Sequence, residues 1–273
     1  MDGHRSTIDY DAYDPETETL ESTFSLPVPL TRPELTVLSD GRLLLSGGLQ
    51  WQAGTETPGG DYVVIDVLVG QAVLGGAMER ARYRHRAVQL ADAAVLVCGG
   101  WRRTVDGDVS TEECEVWTPG GVDTNDEMSL LEARAAFGML RLEDDPQGRV
   151  VAFGGCAVDG DGQDTVLDSV EEYDPVTRTW SVLDVRMAEA RCGFTLSPLA
   201  DGRFLICGGE DAEGAPLESC ELFDPAVEAF VPLPEAFVPG GRTAHGVVEL
   251  SDGKLLLAGG DGNDAQAAYL FNP

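Results

Sequence analysis

Four arginines fall on alternate residues of one short stretch, Arg80-Ala81-Arg82-Tyr83-Arg84-His85-Arg86, and two more follow a tryptophan at Trp101-Arg102-Arg103. They are six of only 18 basic residues in a chain that carries 48 acidic ones. A guanidinium grips a carboxylate or phosphate through two parallel N–H bonds. A tryptophan beside it adds a flat anchor. If the stretch is extended, its four arginines project to one side. Trp51 opens the loop before them. Arg84, Arg86, Trp101, Arg102, Arg103 and Trp51 are therefore the candidate partner-binding residues, and an acidic peptide or other anionic group is the ligand they suit. The competing assignment packs Arg82 as a structural residue and leaves the others to offset local acids.

Catalytic chemistry has less to work with. The histidines are His4, His85 and His245, too few for a multi-histidine copper site. No Ser-His-Asp order or phosphate-binding glycine loop leading into a helix is present. No catalytic residue, cofactor or metal ligand is predicted. Asp159-Gly160-Asp161-Gly162-Gln163-Asp164 is similar to a calcium loop, but it lacks the sixth-place glycine and has Val170 where the twelfth-place glutamate belongs. A flexible acidic loop is expected there. The six cysteines, Cys98, Cys114, Cys156, Cys192, Cys207 and Cys220, show no C-x-x-C spacing. They are expected to be buried, reduced thiols.

A net charge of −30 disfavours nucleic acid and anionic membrane as partners. No apolar run is long enough to span a bilayer. The segment Met1–Ser6 has no apolar h-region. A cytoplasmic monomer is expected, with a secreted ligand-binding module as the rival.

The elements that must position these residues recur. An apolar run ending in a glycine pair stands at Arg42–Gly48, Val95–Gly100, Arg149–Gly155, Arg203–Gly209 and Lys254–Gly260. A period near fifty residues marks a repeat array. Each unit reads as four short strands, a to d, with the apolar run as strand b. The units span 33–80, 81–133, 134–190, 191–241 and 242–273, and the last lacks strand d. The segment 6–32 supplies a closing piece. Its Thr19–Ser25 is expected to lie beside the C-terminal strand c, although Ser6–Tyr13 also has the pattern of a c strand. The d strand of the second unit is placed near Asp126–Leu131.

These residues resemble the kelch repeat. Its Arg-x-x-[His/Phe] element is seen at Arg82/His85, Arg134/Phe137, Arg191/Phe194 and Arg242/His245, while the first unit departs with Leu30 and Pro33. Asp-Gly precedes the glycine-pair strand at Asp40-Gly41, Asp201-Gly202 and Asp252-Gly253. Asp-Pro ends strand c at Asp174-Pro175 and Asp224-Pro225, and Trp180 holds the motif tryptophan. The resemblance implies an all-β, five-bladed propeller of the kelch type in one domain. It implies a non-catalytic scaffold that binds a protein through its b–c loops and d–a links. The alternative it leaves open is a carbohydrate- or small-molecule-acting enzyme using the channel mouth.

Overall fold

The computed structural model describes residues 7–14, 17–52, 54–124, 128–143, 145–158, 162–233, 238, 240–250, 252–262 and 267–271. The expected calcium-like Asp159, Gly160 and Asp161, and His4, lie outside them. The described elements are strands, and they fall in two compact units, Met1–Leu130 and Leu131–Pro273. Contacts in a repeat array are local in sequence, so such a division falls between repeats.

The first unit holds a hairpin and two blades. β1 (Thr7–Asp14) pairs antiparallel with β2 (Thr19–Leu30). The first blade is β3 (Glu34–Val37), β4 (Leu43–Ser46), β7 (Asp61–Asp66) and β8 (Gln71–Ala77), hydrogen-bonded in that order. Its b–c loop folds back as a hairpin of β5 (Leu49–Gln52) and β6 (Thr55–Pro58). The second blade is β9 (Arg86–Gln89), β10 (Val95–Cys98), β13 (Cys114–Thr118) and β14 (Gly121–Asp123), with a b–c hairpin of β11 (Trp101–Thr104) and β12 (Gly107–Ser110).

The second unit holds three blades. They are β15 (Gly138–Arg141) to β18 (Thr179–Arg186) through β16 (Val150–Val158) and β17 (Asp164–Asp174), then β19 (Thr195–Pro198), β20 (Phe204–Cys207), β21 (Cys220–Asp224) and β22 (Ala229–Pro232). The fifth sheet has three strands, β23 (Gly246–Glu249), β24 (Leu255–Ala258) and β25 (Tyr269–Phe271). The five predicted blades are thus present.

Burial explains the sequence pattern. Strand b is covered on both faces, as in β10 and β20, where all residues are buried, so it reads as an unbroken apolar run. Strand d is the exposed outer strand, and its sequence drifts. Apolar clusters form where neighbouring sheets face each other. One holds Phe153, Val170, Phe194, Ile206 and Phe223, and another holds Leu44, Tyr62, Val95, Val97 and Trp117.

Three expectations need correction. The Thr19–Ser25 strand is in a hairpin with β1, and the described fifth sheet ends at β25; the c-like pattern of Ser6–Tyr13 gives β2 a local partner one turn away. The d strand of the second blade is Gly121–Asp123 rather than a segment near Asp126–Leu131, because Thr118 closes a tight turn by donating to the Gly121 carbonyl at 3.0 Å. The cysteines are paired: Cys98–Cys114, Cys156–Cys192 and Cys207–Cys220. Two pairs join facing residues of strands b and c, with Cα atoms 4.1 and 4.2 Å apart. Repeat alignment compares like positions of different blades, whereas an end-of-b and a start-of-c residue in one blade face each other.

The glycine pair has a specific task. The N–H of its second member reaches the carbonyl of the arginine that begins the next blade: Gly48 to Arg82 at 3.0 Å, Gly155 to Arg191 at 2.9 Å and Gly209 to Arg242 at 2.8 Å. Backbone passes so close that a side chain has no room.

Candidate functional site

The b–c side of the first unit carries the sequence-predicted residues. Trp101-Arg102-Arg103-Thr104 forms one arm of the β11–β12 hairpin, with Arg103 facing Asp108. That cross-strand pair is bidentate, with Nε–Oδ1 2.5 Å and Nη2–Oδ2 2.9 Å. The Tyr83 hydroxyl donates to the same Asp108 at 2.9 Å. The Arg103 hydrogen bond holds the Asp108 carboxyl below its ordinary range, and burial first, then Asp108, pushes the Tyr83 hydroxyl up to about 12. Arg103 also donates to the Glu56 carbonyl at 3.2 Å, which ties this hairpin to β5–β6 and to Trp51 on it.

The arginines do not share one side. Arg84 has φ +52, and this left-handed turn breaks the alternation that a strand would impose. Arg82 is buried. Its Nη1 donates to the carbonyls of Gly99 at 3.1 Å and Glu113 at 2.7 Å. Arg86 is half-buried on β9 and pairs with Glu34 at 3.0 Å. Arg80 and Arg102 both reach the Glu113 carboxylate, at 3.3 and 3.4 Å. Arg84 is exposed, with no ion pair among the described residues. Trp51 is 43% exposed and Trp101 is half-buried, its backbone bridged to Tyr83. The loops thus form a braced platform on which most guanidinium charge is already matched.

The repeat arginine has a partner that sequence reading missed. In the second, third and fourth blades it faces a buried strand-c glutamate: Arg82–Glu115 at 3.9 Å, Arg134–Glu171 at 2.5 Å and Arg191–Glu221 at 3.1 Å. The glutamates also accept backbone N–H bonds from the incoming link, at Glu79, at Leu131 and Glu132, and at Ala188. Desolvation raises the carboxyls of Glu115 and Glu221 and lowers the Arg191 guanidinium. The signal was present in sequence: strand c carries Glu in the same register in three of the units that have the arginine. In the fifth unit Tyr269 takes that register position, and its ring lies 4.9 Å from Arg242. In the first, where Leu30 replaces arginine, Val63 replaces glutamate, and both are fully buried.

His85 and His245 share one repeat position and serve packing. Their Nε2 atoms meet Ser46 Oγ at 2.8 Å and Thr195 Oγ1 at 2.9 Å. Desolvation first, then Arg242, depresses His245 to about 4, and His85 is lowered well below its ordinary value by burial. The unfolded chain protonates His245 near 6.5 and the folded chain only near 4. Stability is therefore complete above pH ~6.5 and falls as pH drops toward 4. Urea titrations are expected to show His245 contributing about 2 kcal/mol less at pH 5 than at pH 7. His245→Phe, the residue type at the matching Phe137 and Phe194, should flatten its share of that dependence. An unchanged slope would remove His245 as the cause.

Comparison with known proteins decides the fold. A family model described as the kelch motif matches residues 146–184. The solved structure of YjhT superposes with a TM-score of 0.69 at 14% identity, over 88% of this chain and 75% of that one. The chain is a β-propeller of five blades that carries a kelch motif. Kelch-like protein 33 of Homo sapiens is 30% identical over 147 residues, 54% of this chain and 25% of that protein. An F-box/kelch-repeat protein of Arabidopsis thaliana is 38% identical over 65 residues, 24% of this chain and 15% of that protein. The chain therefore spans a quarter or less of the curated relatives it matches.

Proposed function

We propose that the chain is a non-catalytic scaffold that binds a protein partner on the b–c hairpins of its first two blades. One observation carries the reading: the two hairpins are locked together by Arg103, which spans Asp108 and the Glu56 carbonyl, and they hold Trp51 and Trp101 on a rigid base. Preorganised aromatic anchors lower the ordering cost of binding. The acidic partner inferred from the sequence narrows to one carboxylate group at Arg84, since Arg80, Arg86, Arg102 and Arg103 are matched by Glu113, Glu34 and Asp108. A polyacidic segment would have to displace those carboxylates.

Trp51→Ala combined with Arg84→Ala is expected to weaken partner binding about 30-fold, the loss of one interface hot spot, without changing the unfolding midpoint. Affinity that is unchanged in titration calorimetry with a captured partner would end this placement. The same monomeric chain is proposed to work in the cytoplasm. Its three cysteine pairs bear on that directly, because a reducing compartment opens such bonds and an oxidising one keeps them. Thiol alkylation and mass measurement on protein taken from its own cells distinguish the two.

A further inference from the structure

Cys156–Cys192 differs from the other two pairs. It joins two blades, from the residue after one glycine pair to the residue after the next blade's arginine. Cys156 is half-buried, while both partners in Cys98–Cys114 and Cys207–Cys220 are buried. It also has a third donor. The sulfurs of Cys156 and Cys192 and a carboxylate oxygen of Glu210 all lie within 4.8 Å of one another. Among the described residues no other group of histidine, cysteine or acidic side chains meets this spacing.

Backbone holds these three residues in place independently of the S–S bond. Cys156 and Ala135 exchange two hydrogen bonds at 2.8 Å. Cys192 and Glu210 exchange two more, at 3.1 and 2.8 Å. Gly155 donates to the Arg191 carbonyl at 2.9 Å and Gly193 to the Ala136 carbonyl at 2.9 Å, which fixes one blade against the next. When the bridge opens, both sulfurs therefore stay beside the carboxylate.

We infer that Cys156, Cys192 and Glu210 form a redox-gated site for a thiophilic divalent cation of the zinc type. The donor set, two thiolates and one carboxylate, suits zinc and leaves a fourth tetrahedral position for water or a ligand. A cellular dithiol opens the gate. Its two thiols give two electrons and two protons to the bridge, leaving two cysteine thiols here and a disulfide on the reductant. The cation then binds both sulfurs, and the two thiol protons pass to solvent. In the bridged state neither sulfur is a thiolate, and the site is closed.

The probe is cobalt(II), followed by zinc(II) in competition, added to the full chain before and after reduction by a phosphine. Circular dichroism confirms the fold in each state. The reduced, folded protein is expected to take up one equivalent and show a sulfur-to-cobalt charge-transfer band, and the oxidised protein none. Cys156→Ser should abolish the band, and Cys98→Ser with Cys114→Ser should keep it. Glu210→Gln leaves both thiols intact and should weaken binding by at least ~10-fold, the lower end of what even an outer-sphere partner contributes. No band in the reduced folded protein, or a band that survives Cys156→Ser, would overturn the site. Unchanged affinity in Glu210→Gln would remove the carboxylate from it.

Discussion

Glu171→Ala is expected to destabilise the second unit by about 3 kcal/mol, because it removes the buried counter-charge of a buried guanidinium and leaves only the partly exposed Glu132 carboxylate at 3.6 Å. Arg134 is fully buried, and its Nη2 sits 2.5 Å from Glu171. Glu171 also accepts N–H bonds from Leu131 and Glu132 at 2.7 and 3.1 Å, so the link entering the blade loses its anchor as well. The first blade shows the way back. There Leu30 and Val63 occupy the same two register positions and pack in one apolar cluster. Arg134→Leu with Glu171→Val is therefore expected to cost much less than the two single changes together. A double-mutant cycle in urea should give a coupling of about 2–3 kcal/mol. Additive losses would mean that the pair is incidental and the arginine works through its carbonyl contacts alone.

Gly208→Ala is expected to lose about 3 kcal/mol or more, the range of backbone strain joined to a core clash. Gly208 has φ +64, and an added Cβ would stand 2.5 Å from the Arg242 carbonyl oxygen and 2.9 Å from His245 Cε1. Neither neighbour is a flexible side-chain end that could swing aside. Gly253→Ala makes a matched control, with φ +80 but nothing within 4 Å of the added atom. It should cost only the ~1–2 kcal/mol of a left-handed alanine. Equal losses at the two sites, read from thermal unfolding, would show that conformation alone demands the glycine pair and close approach does not.

The blades were legible because strand b is buried on both faces and its end must be glycine. Those two constraints write the same residues five times. Strand d is exposed, so its sequence is free to drift, and the second blade's β14 was placed too late for that reason. The c-like pattern of Ser6–Tyr13 is correct locally, since β1 pairs with β2, but a local pattern is silent on which strand lies next to Thr19–Ser25. The arginine stretch misled through a local fact: the left-handed residue at Arg84 recurs at Arg32, Ala136, Gly193 and Ala244, yet residue type does not mark it. The paired positions at Leu30/Val63, the three Arg/Glu pairs and Arg242/Tyr269 were readable in principle. They change together because a buried charge needs a matching group and a buried leucine needs none. The cysteine pairs escaped because facing residues of adjacent strands are found by register, not by repeat alignment.

The most direct measurement is partner capture from host lysate by three folded proteins: the intact chain, a Trp51→Ala/Arg84→Glu/Arg103→Glu variant, and a variant altered at the a–b turns of the third and fourth blades. Arg86, used by Glu34, is left alone to keep the fold intact. The turn variant carries Pro146→Ala and Pro198→Ala in the cleft of about 770 Å³ between the third and fourth blades. The account predicts a partner held by the intact and turn-altered chains and lost from the hairpin variant. A partner kept by the hairpin variant and lost from the turn variant would contradict it.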